Sequence, residues 1–212
     1  MSGGRVTAVC TVASEEVVRD ALRRQVLAES DVQLAVDEFW VPRSNERADL
    51  VVIGRSMDGF EIKTERDTLR RLPRQALAYG RVFDCCSVVI AEKHCYHATE
   101  VLPSWWGIST IFVSETITFV AVRCPQPNPA IDIETIVRLL WRDEVISALS
   151  RLGQEADQRS SRGALWEELL GAVSTEQLRN IVRQAMLDRD PARARIRTRR
   201  FSTQHVAAEA GR

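Results

Sequence analysis

Asp49, Glu61 and Lys63 have the chemistry and the spacing of residues that bind a divalent cation. The segment 60–63, Phe-Glu-Ile-Lys, is predicted to be a strand, in which side chains alternate between faces, so Glu61 and Lys63 share one face. Asp49 begins the preceding apolar strand, and a turn through residues 55–59 would bring its carboxylate beside Glu61. Two carboxylates that face one point form a hard-oxygen site for Mg2+ or Mn2+, here with a lysine ammonium next to it.

Lysine usage supports a chemical role for this triplet. Of the 29 basic residues, only Lys63 and Lys93 are lysine, and all the others are arginine. An ammonium is a compact point charge with a tunable pKa, which a guanidinium cannot provide. The alternative is an exposed strand face with an ordinary ion pair, the most common arrangement of neighbouring Glu and Lys side chains.

Hydrophobic periodicity and turn residues predict the elements that position these side chains. A helix is predicted over residues 14–28, where Ser14 and two glutamates begin an amphipathic pattern. A second helix lies within residues 67–83, and its regular part begins near Leu72 because Pro73 fits only a first turn. The predicted strands are residues 32–41, 49–53 and 60–64, which form a meander, then 87–91, and a hairpin of 109–113 and 117–122.

A proline cluster divides the chain into two parts. Pro125, Pro127 and Pro129 favour extended backbone, so no helix continues through them. Every later pattern is helical: residues 132–152, residues 162–172, and a helix to about residue 188 that a Ser-Thr-Glu-Gln capping box at 174–177 begins. We therefore predict an α/β domain over residues 12–124 with a mixed sheet flanked by helices, a Pro-rich linker over 125–131, an all-helical extension over 132–190 and an Arg-rich, disordered tail over 191–212.

Composition excludes several classes of protein. The 212 residues carry 29 basic and 29 acidic side chains, so there is no global positive charge of the kind found in histone-like binders. Hydrophobic residues make up 45%, which is typical of a globular protein, and no apolar run is long enough to span a membrane. The five cysteines lack the spacing of a secreted disulfide framework and are expected to be reduced thiols. These features predict a cytoplasmic protein without a membrane partner.

Asp49, a short apolar strand and Glu61-x-Lys63, in the predicted order helix, three strands, helix, strand, resemble the PD-(D/E)XK nuclease superfamily. Gln75 and Tyr79 on the following helix are similar to the Gln-x-x-x-Tyr motif of its RecB-type members. The i, i+4 spacing places both side chains on one helix face, towards the cleft, unless Tyr79 is packed in the core and Gln75 is solvated. The chain is also similar to a small, uncharacterised bacterial family of nuclease-like proteins found in prophages, through residues 47–52, 59–63, 67–75 and 105–108.

The resemblance implies a restriction-endonuclease-like fold and a role for each site residue. Asp49 and Glu61 would bind Mg2+ or Mn2+ with the Ile62 carbonyl as a backbone ligand, and Lys63 would lie by the attacking water. The superfamily often adds an acid from the first helix, for which we choose Glu15. The alternative role of Glu15 is to complement the helix dipole.

Two positions need separate comment. Ala48 stands where the superfamily usually has a proline before the aspartate, a change that the superfamily tolerates. Glu38 occupies the same predicted strand face as Val36 and Trp40, which is an unusual place for an acid. It is either a further metal ligand or a charge that protects an edge strand from pairing, and we favour the edge-strand charge.

The sequence thus leads us to expect Mg2+-dependent hydrolysis of DNA phosphodiesters, in a repair, phage or defence context. Arg70 and Arg74, one helical turn apart, are expected to contact DNA phosphates, or else to form a solvated face. The helical extension is assigned to a protein partner, to a homodimer or to support of the catalytic domain, with DNA recognition as a further alternative. Two other functions fit the same sequence: a binding module that keeps the nuclease fold without cleaving, and a latent nuclease gated by a partner.

Overall fold

Six strands and seven helices are formed within residues 13–190, the part of the chain that the computed structural model describes. The strands are β1 (Leu34–Trp40), β2 (Arg47–Ile53), β3 (Met57–Lys63), β4 (Cys85–Ala91), β5 (Gly107–Val113) and β6 (Ile117–Arg123). The helices are α1 (Glu15–Leu27), α2 (Leu72–Tyr79), α3 (Cys95–Val101), α4 (Ile133–Ile136), α5 (Arg142–Arg151), α6 (Arg162–Ala172) and α7 (Thr175–Leu187). The Arg-rich tail predicted over residues 191–212 lies outside the described residues.

All six strands lie side by side in one mixed sheet, in the order β1-β2-β3-β4-β5-β6. β2 and β3 pair antiparallel, as do β5 and β6, whereas β4 runs parallel to both β3 and β5. Parallel neighbours require a crossover, which α2 supplies between β3 and β4 and α3 supplies between β4 and β5. The predicted α/β fold, a mixed sheet flanked by helices with a helical C-terminal part, is confirmed.

Helix α3 is absent from the sequence prediction. Its seven residues, Cys95–Val101, include a tyrosine, a threonine and a valine, which have modest helix propensity, and Ala98 is its buried residue. A helix this short and this exposed leaves no apolar stripe in the sequence. The remaining signal is topological, because two parallel strands need a crossover connection of about a dozen residues or more.

Helix α1 covers one face of the sheet. Ser14 caps its first turn, and the predicted apolar stripe faces inward. The core beneath it consists of Val18, Leu22, Val26, Ala35, Leu50, Val52, Ile62 and Val89. Because Ile62 belongs to this core, its neighbours Glu61 and Lys63 point to the opposite face of the sheet.

An aromatic cluster lies on that opposite face, beneath α2. Tyr79 stacks on Trp106 with ring centroids 5.7 Å apart and meets the edge of Phe83 at 5.4 Å. Phe39 from β1 packs against Phe83 at 5.9 Å. Rings at these distances attract one another beyond the effect of the apolar area that they bury. The cluster therefore anchors α2, and with it the Gln-x-x-x-Tyr motif, on the sheet.

Gly59 allows the sheet and the aromatic cluster to approach each other closely. A Cβ atom at this position would lie 2.3 Å from Cδ2 of Phe83, a fully buried ring that neighbouring rings hold in place. We expect Gly59→Ala to lower the free energy of unfolding by about 1–3 kcal/mol, the usual cost of overpacking a core. Urea denaturation of the two proteins measures this difference.

Gly171 provides the control substitution, because a Cβ atom there meets nothing within 4 Å. It lies in α6, where replacing glycine by alanine is expected to stabilise the helix by about 0.5–1 kcal/mol. The two substitutions should therefore have effects of opposite sign. Similar effects at both positions would show that Phe83 moves aside at little cost.

The prediction of a single helix over residues 132–152 is wrong. The structure divides this stretch into α4, a 3-10 turn at Val137–Leu139 and α5. Leu140 is extended, with ψ of 135°, so the helical hydrogen bonds stop there. The N–H of Trp141 then donates to Oε2 of Glu144 at 2.7 Å, which caps the start of α5. Apolar residues are buried on both sides of the break, which is why the pattern alone predicts one helix.

The proline-rich segment, predicted to be a linker over residues 125–131, is held in place by hydrogen bonds from Asn128. The N–H of Asn128 donates to the carbonyl of Asp84 at 2.8 Å. The side-chain amide of Asn128 donates to the carbonyls of Gly80 and Phe83, at 2.7 and 2.8 Å. These hydrogen bonds attach the segment to the end of α2 and to the start of β4. The prolines prevent a helix here, but side-chain hydrogen bonds decide where the segment lies.

The described residues form two compact units. The first comprises residues 13–39 and 48–129 and contains the sheet. The second comprises residues 40–47 and 130–190, so the short connection between β1 and β2 belongs with the later helices. Within the second unit Arg43 pairs with Glu134 at 3.2 Å. The sequence does not reveal that residues 40–47 belong with the later helices, because these residues carry no helical pattern.

The last two helices of the second unit match their predictions. Ser174 and Gln177 form the predicted capping box, in which the N–H of Ser174 donates to Oε1 of Gln177 at 2.8 Å. The inner faces of α6 and α7 are buried through Leu165, Trp166, Leu169, Leu178, Val182 and Met186. Arg189 pairs with Glu144 at 2.8 Å and lies over the ring of Trp141.

Candidate metal centre

The β2–β3 hairpin places Asp49 beside the Glu-x-Lys triplet. Leu50 pairs with Phe60 in antiparallel register, so Asp49, one residue earlier, lies next to Glu61. Oδ2 of Asp49 accepts a hydrogen bond of 2.6 Å from the N–H of Ile62. The neighbouring position of the two carboxylates, which the strand spacing predicts, is therefore present in the fold.

Glu61 lies among buried hydrogen-bond donors. Its Oε1 accepts from the Lys63 ammonium and from Nε2 of Gln75, and its Oε2 accepts from the Tyr79 hydroxyl. We call Lys63, Gln75 and Tyr79 the donor cage. Glu61 is 1% exposed and Gln75 is 3% exposed, so the alternative of a solvated glutamine is wrong, whereas its other half, a tyrosine packed in the core, is confirmed by the full burial of Tyr79. The one-turn spacing on α2 brings Gln75 and Tyr79 to the same carboxylate.

The negative charge of Glu61 is balanced by direct contact with the Lys63 ammonium. Burial raises the pKa of Glu61, while the Lys63 ammonium and the hydrogen bonds from Tyr79 and Gln75 oppose that rise. Burial and the adjacent Glu61 carboxylate raise the pKa of Tyr79 well above its ordinary value, so the phenol remains a hydrogen-bond donor. The side chain of Lys63 is 11% exposed. Glu61 thus holds the ammonium in one place, and a small part of the lysine side chain stays exposed to solvent.

Glu15, Glu38 and Asp49 converge from three different elements, and we call them the carboxylate trio. One carboxylate oxygen from each lies within 4.8 Å of the others, close enough for a single cation to contact all three. Glu15 is the first residue of α1, Glu38 lies in β1 and Asp49 lies in β2. All three residues are partly exposed, so an ion has access to them from solvent.

Glu38 owes its orientation to a backbone irregularity in β1. Its φ is 55°, in the left-handed region that residues other than glycine rarely adopt. In a regular strand Ala35 and Phe39 would share a face, yet Ala35 packs in the core under α1 and Phe39 packs against Phe83 on the opposite face. The strand therefore changes faces between them, and the Glu38 side chain turns towards Asp49. β1 is also an edge strand, so Glu38 is both an edge charge and a member of the trio.

Arg19 binds two members of the carboxylate trio. Its Nη1 donates to Oε1 of Glu38 at 2.6 Å, and its Nη2 donates to Oε1 of Glu15 at 2.8 Å. Burial by itself would lower the pKa of Arg19, but attraction to Glu38, Glu15 and Asp49 outweighs burial and raises it. When its acids are ionised, the trio carries more negative charge than the single guanidinium neutralises.

The structure alters the set of ligands that the sequence predicts. Asp49 and Glu15 lie in the trio as expected, and Glu38, which we assigned to edge protection, joins them. Glu61 lies outside the trio because its oxygens face the donor cage. Ile62 directs its N–H to Asp49. Metal binding by Glu61 and by the Ile62 carbonyl stays a prediction.

A model of the family described as bacteriophage P4 protein cII matches residues 13–209 of this chain. The chain belongs to that family. The match includes the sheet, the donor cage, the carboxylate trio and the later helices, so it covers the whole described part of this cII-family protein. The description of the family names no activity, and function is therefore argued from the site.

A protein of unknown function from Silicibacter pomeroyi is a solved structure that this cII-family chain matches. The two chains are 16% identical with a TM-score of 0.38, and the alignment covers 81% of this chain and 89% of the other. No curated protein matches significantly. Within residues 13–190, no helix combines the length and the apolar character needed to cross a membrane.

Asp49 makes the stability of this cII-family protein depend on pH. Burial and repulsion from Glu61 raise the pKa of Asp49 to about 7. The unfolded chain, with an aspartate pKa of about 3.9, loses this proton at much lower pH. The stability that Asp49 contributes is therefore complete at low pH and is lost as the pH rises through its folded value. Burial raises the pKa of Asp58 to about 6, which acts in the same direction.

We expect the free energy of unfolding in EDTA to fall between about pH 4 and about pH 7, the range between the unfolded and folded pKa values of Asp49, and to fall less in Asp49→Asn. Urea denaturation at several pH values measures both slopes. Asp37→Asn is the control, because Asp37 is exposed and pairs with Arg23 at 2.8 Å, away from the trio. The same slope in Asp49→Asn as in the unaltered protein would show that Asp49 titrates in the ordinary range.

Arg70 and Arg74 do not share a helix face, which corrects the prediction. Helix α2 begins at Leu72, with Pro73 in its first turn, so Arg70 lies in the turn before the helix. Both side chains are exposed. Each side chain can still contact a DNA phosphate, Arg70 from the turn before α2 and Arg74 from α2 itself.

Arg19 and the orientation of Glu38 are the site features that sequence reasoning missed in this cII-family protein. Arg19 follows Glu15 by four residues on α1, and that spacing is a signal for a helical ion pair. The positive φ of Glu38 has no comparable signal, because glutamate is not one of the residue types that favour the left-handed region. Long-range contacts therefore complete the trio.

Proposed function

We propose that this protein is a nuclease that hydrolyses phosphodiester bonds of DNA with Mg2+ or Mn2+. The observation that carries the proposal is the Lys63 ammonium, which the buried Glu61 holds on the strand next to Asp49. Burying such a pair costs hydration energy, so it is poorly explained as a simple stabilising contact. Buried acids whose pKa values are shifted, beside a positively charged side chain that is fixed in place, are typical of catalytic sites.

The carboxylate trio has the donors that a hard divalent cation requires. Glu15, Glu38 and Asp49 bring oxygens within 4.8 Å of one another, and oxygen is the ligand atom that Mg2+ and Mn2+ prefer. Glu61 is a further candidate, since its Oε2 accepts the Tyr79 hydrogen bond and a carboxylate oxygen has two lone pairs. A bound cation would stabilise negative charge on the phosphoryl group and lower the pKa of a water molecule.

Lys63 is assigned to the attacking water and to the phosphoryl oxygens. An ammonium has three N–H donors; one is directed to Glu61, and the others can orient water or a phosphate oxygen. A positive charge that is fixed in advance stabilises the negative charge that develops during phosphoryl transfer without reorganising first. Glu61 provides this fixation, because its carboxylate is itself held by the rest of the donor cage.

Gln75 and Tyr79 act as positioning residues in this proposal. Both residues are buried and donate to Glu61, so they affect the reaction by fixing the Glu61 carboxylate. The ring of Tyr79 is stacked on Trp106, which ties its hydroxyl to the aromatic cluster. Tyr79 therefore contributes both to the packing of the core and to the position of Glu61.

Exposed arginines near the end of β3 support an anionic polymer as the substrate. The turn that follows Lys63 carries exposed arginines at positions 66, 70 and 71, and α2 adds Arg74. Arginine binds phosphate through pairs of parallel hydrogen bonds. Membership in a phage-related family is consistent with DNA as this polymer.

Incubation of the purified protein with labelled single-stranded DNA, double-stranded DNA and RNA tests the proposal. We expect DNA to be cleaved with Mg2+ or Mn2+ and to remain intact in EDTA. DNA that is bound but intact under every condition would contradict the nuclease and identify a non-cleaving binding module. Cleavage that begins only when a partner protein is added would identify a latent nuclease.

Asp49→Asn tests cation binding separately from cleavage. A ligand that binds only the folded protein stabilises it by about 2.7 kcal/mol at a hundred times its Kd. We expect Mn2+ to raise the melting temperature of the unaltered protein and of Asp37→Asn, but not of Asp49→Asn, because asparagine carries no negative charge. Equal increases in all three proteins would place the cation away from the trio.

A further inference from the structure

We propose that Arg19 competes with the divalent cation for the carboxylate trio, so that the site binds the cation weakly while the guanidinium is in place. This inference rests on the proposed function, because it concerns the cation that the nuclease would use. It assigns to Arg19 control of cation affinity, a role that differs from those of Lys63 and the donor cage.

The contacts of Arg19 occupy the same carboxylates that a cation would need. Its two terminal nitrogens meet Glu38 at 2.6 Å and Glu15 at 2.8 Å. Both acids contribute an oxygen to the group that converges within 4.8 Å around Asp49. A guanidinium binds two carboxylates well because its donors form a rigid, planar fork. A cation that binds the trio must therefore displace this fork or accept a positive charge beside it.

Burial strengthens this competition. The side chain of Arg19 is 18% exposed, so water screens its charge only partly. Repulsion between Arg19 and a bound divalent ion is then larger than between two surface charges. Removing the guanidinium should strengthen cation binding, provided that the three acids keep their places.

Arg23 separates competition from a purely structural effect. It lies one turn after Arg19 on α1 and makes a contact of the same kind, from Nη1 to Asp37 at 2.8 Å and from Nη2 to the carbonyl of Ala35 at 3.0 Å. Both arginines connect α1 to β1, but Arg19 is the one that binds the carboxylate trio. Arg23→Gln therefore removes a comparable contact without changing the charge that faces the trio.

Titration calorimetry with MnCl2, in the absence of nucleic acid, tests the proposal. We expect Arg19→Gln to bind Mn2+ about tenfold more tightly than the unaltered protein, because a nearby like charge is removed. Arg19→Lys keeps the positive charge but lacks the planar fork, so its affinity for Mn2+ should lie between those of the unaltered protein and Arg19→Gln. Arg23→Gln leaves Arg19 intact and should bind like the unaltered protein. If Arg19→Gln unfolds in EDTA, recovery of its far-ultraviolet circular dichroism on addition of Mn2+ is the expected result, since a cation then replaces the guanidinium.

Several results would overturn this inference. Weaker or unchanged Mn2+ binding by Arg19→Gln, or failure of an unfolded variant to recover with Mn2+, would show that Arg19 only positions the acids. If Arg19→Gln gives one of these results while the unaltered protein binds Mn2+ and cleaves DNA, the proposed nuclease function is kept and only the competition by Arg19 is rejected. If neither the unaltered protein nor Arg19→Gln binds Mn2+, the cation site and the competition fail together.

Discussion

Lys63→Ala is expected to reduce the rate of metal-dependent DNA cleavage by about 10²- to 10³-fold, the usual effect of removing a preorganised charge from a catalytic site. The ammonium is held by Glu61 beside Asp49, and alanine leaves no group to orient water or to stabilise the phosphoryl charge. Single-turnover cleavage at saturating Mn2+ measures the effect on the chemical step. Far-ultraviolet circular dichroism of the same samples confirms that the variant is folded.

Lys93→Ala is the control for Lys63→Ala, because these are the two lysines of the sequence. Lys93 pairs with Glu65 at 3.2 Å, and its side chain is 49% exposed. We expect its replacement to leave the cleavage rate unchanged. Equal losses in both variants would indicate a general effect of charge on DNA binding, and full activity in Lys63→Ala would remove Lys63 from the catalytic assignment.

Local sequence patterns predict that Glu61, Lys63, Gln75 and Tyr79 lie near one another, but not that the other three all donate to Glu61. The two-residue period of a strand places Glu61 and Lys63 on one face, and the one-turn spacing of a helix places Gln75 and Tyr79 on another. Each pattern needs only one element, and the short connection from β3 to α2 brings the two sets of side chains together. This is why the four side chains meet as expected.

The carboxylate trio depends on features that no local pattern reveals. Glu38 reaches Asp49 because β1 changes faces, and that change follows from long-range packing of Ala35 and Phe39. Arg19 joins the trio because α1 lies against β1, a contact between distant parts of the sequence. The same limit applies to the tethered segment after β6, since the hydrogen bonds that hold it come from residues far earlier in the chain.

Glu61→Ala is expected to lower the free energy of unfolding by about 3–5 kcal/mol, because removing one partner of a buried ion pair leaves the other charge uncompensated. Lys63, Gln75 and Tyr79 all donate to this carboxylate and all are buried, so three donors lose their acceptor at once. Cleavage should be lost in the same variant, since the Lys63 ammonium is no longer fixed. Urea denaturation and single-turnover cleavage measure the two effects.

Glu65→Ala and Tyr79→Phe separate the ion pair from the rest of the donor cage. Glu65 lies two residues after Lys63 with a side chain that is 43% exposed, so its replacement should change the free energy of unfolding by no more than about 0.5 kcal/mol. Tyr79→Phe keeps the ring but removes the hydroxyl that Glu61 accepts, at a cost of about 1–3 kcal/mol. The expected order of destabilisation is therefore Glu61→Ala, then Tyr79→Phe, then Glu65→Ala. If Glu61→Ala were as stable as Glu65→Ala, water would be replacing the carboxylate as the partner of Lys63, and Glu61 could not be what fixes the ammonium.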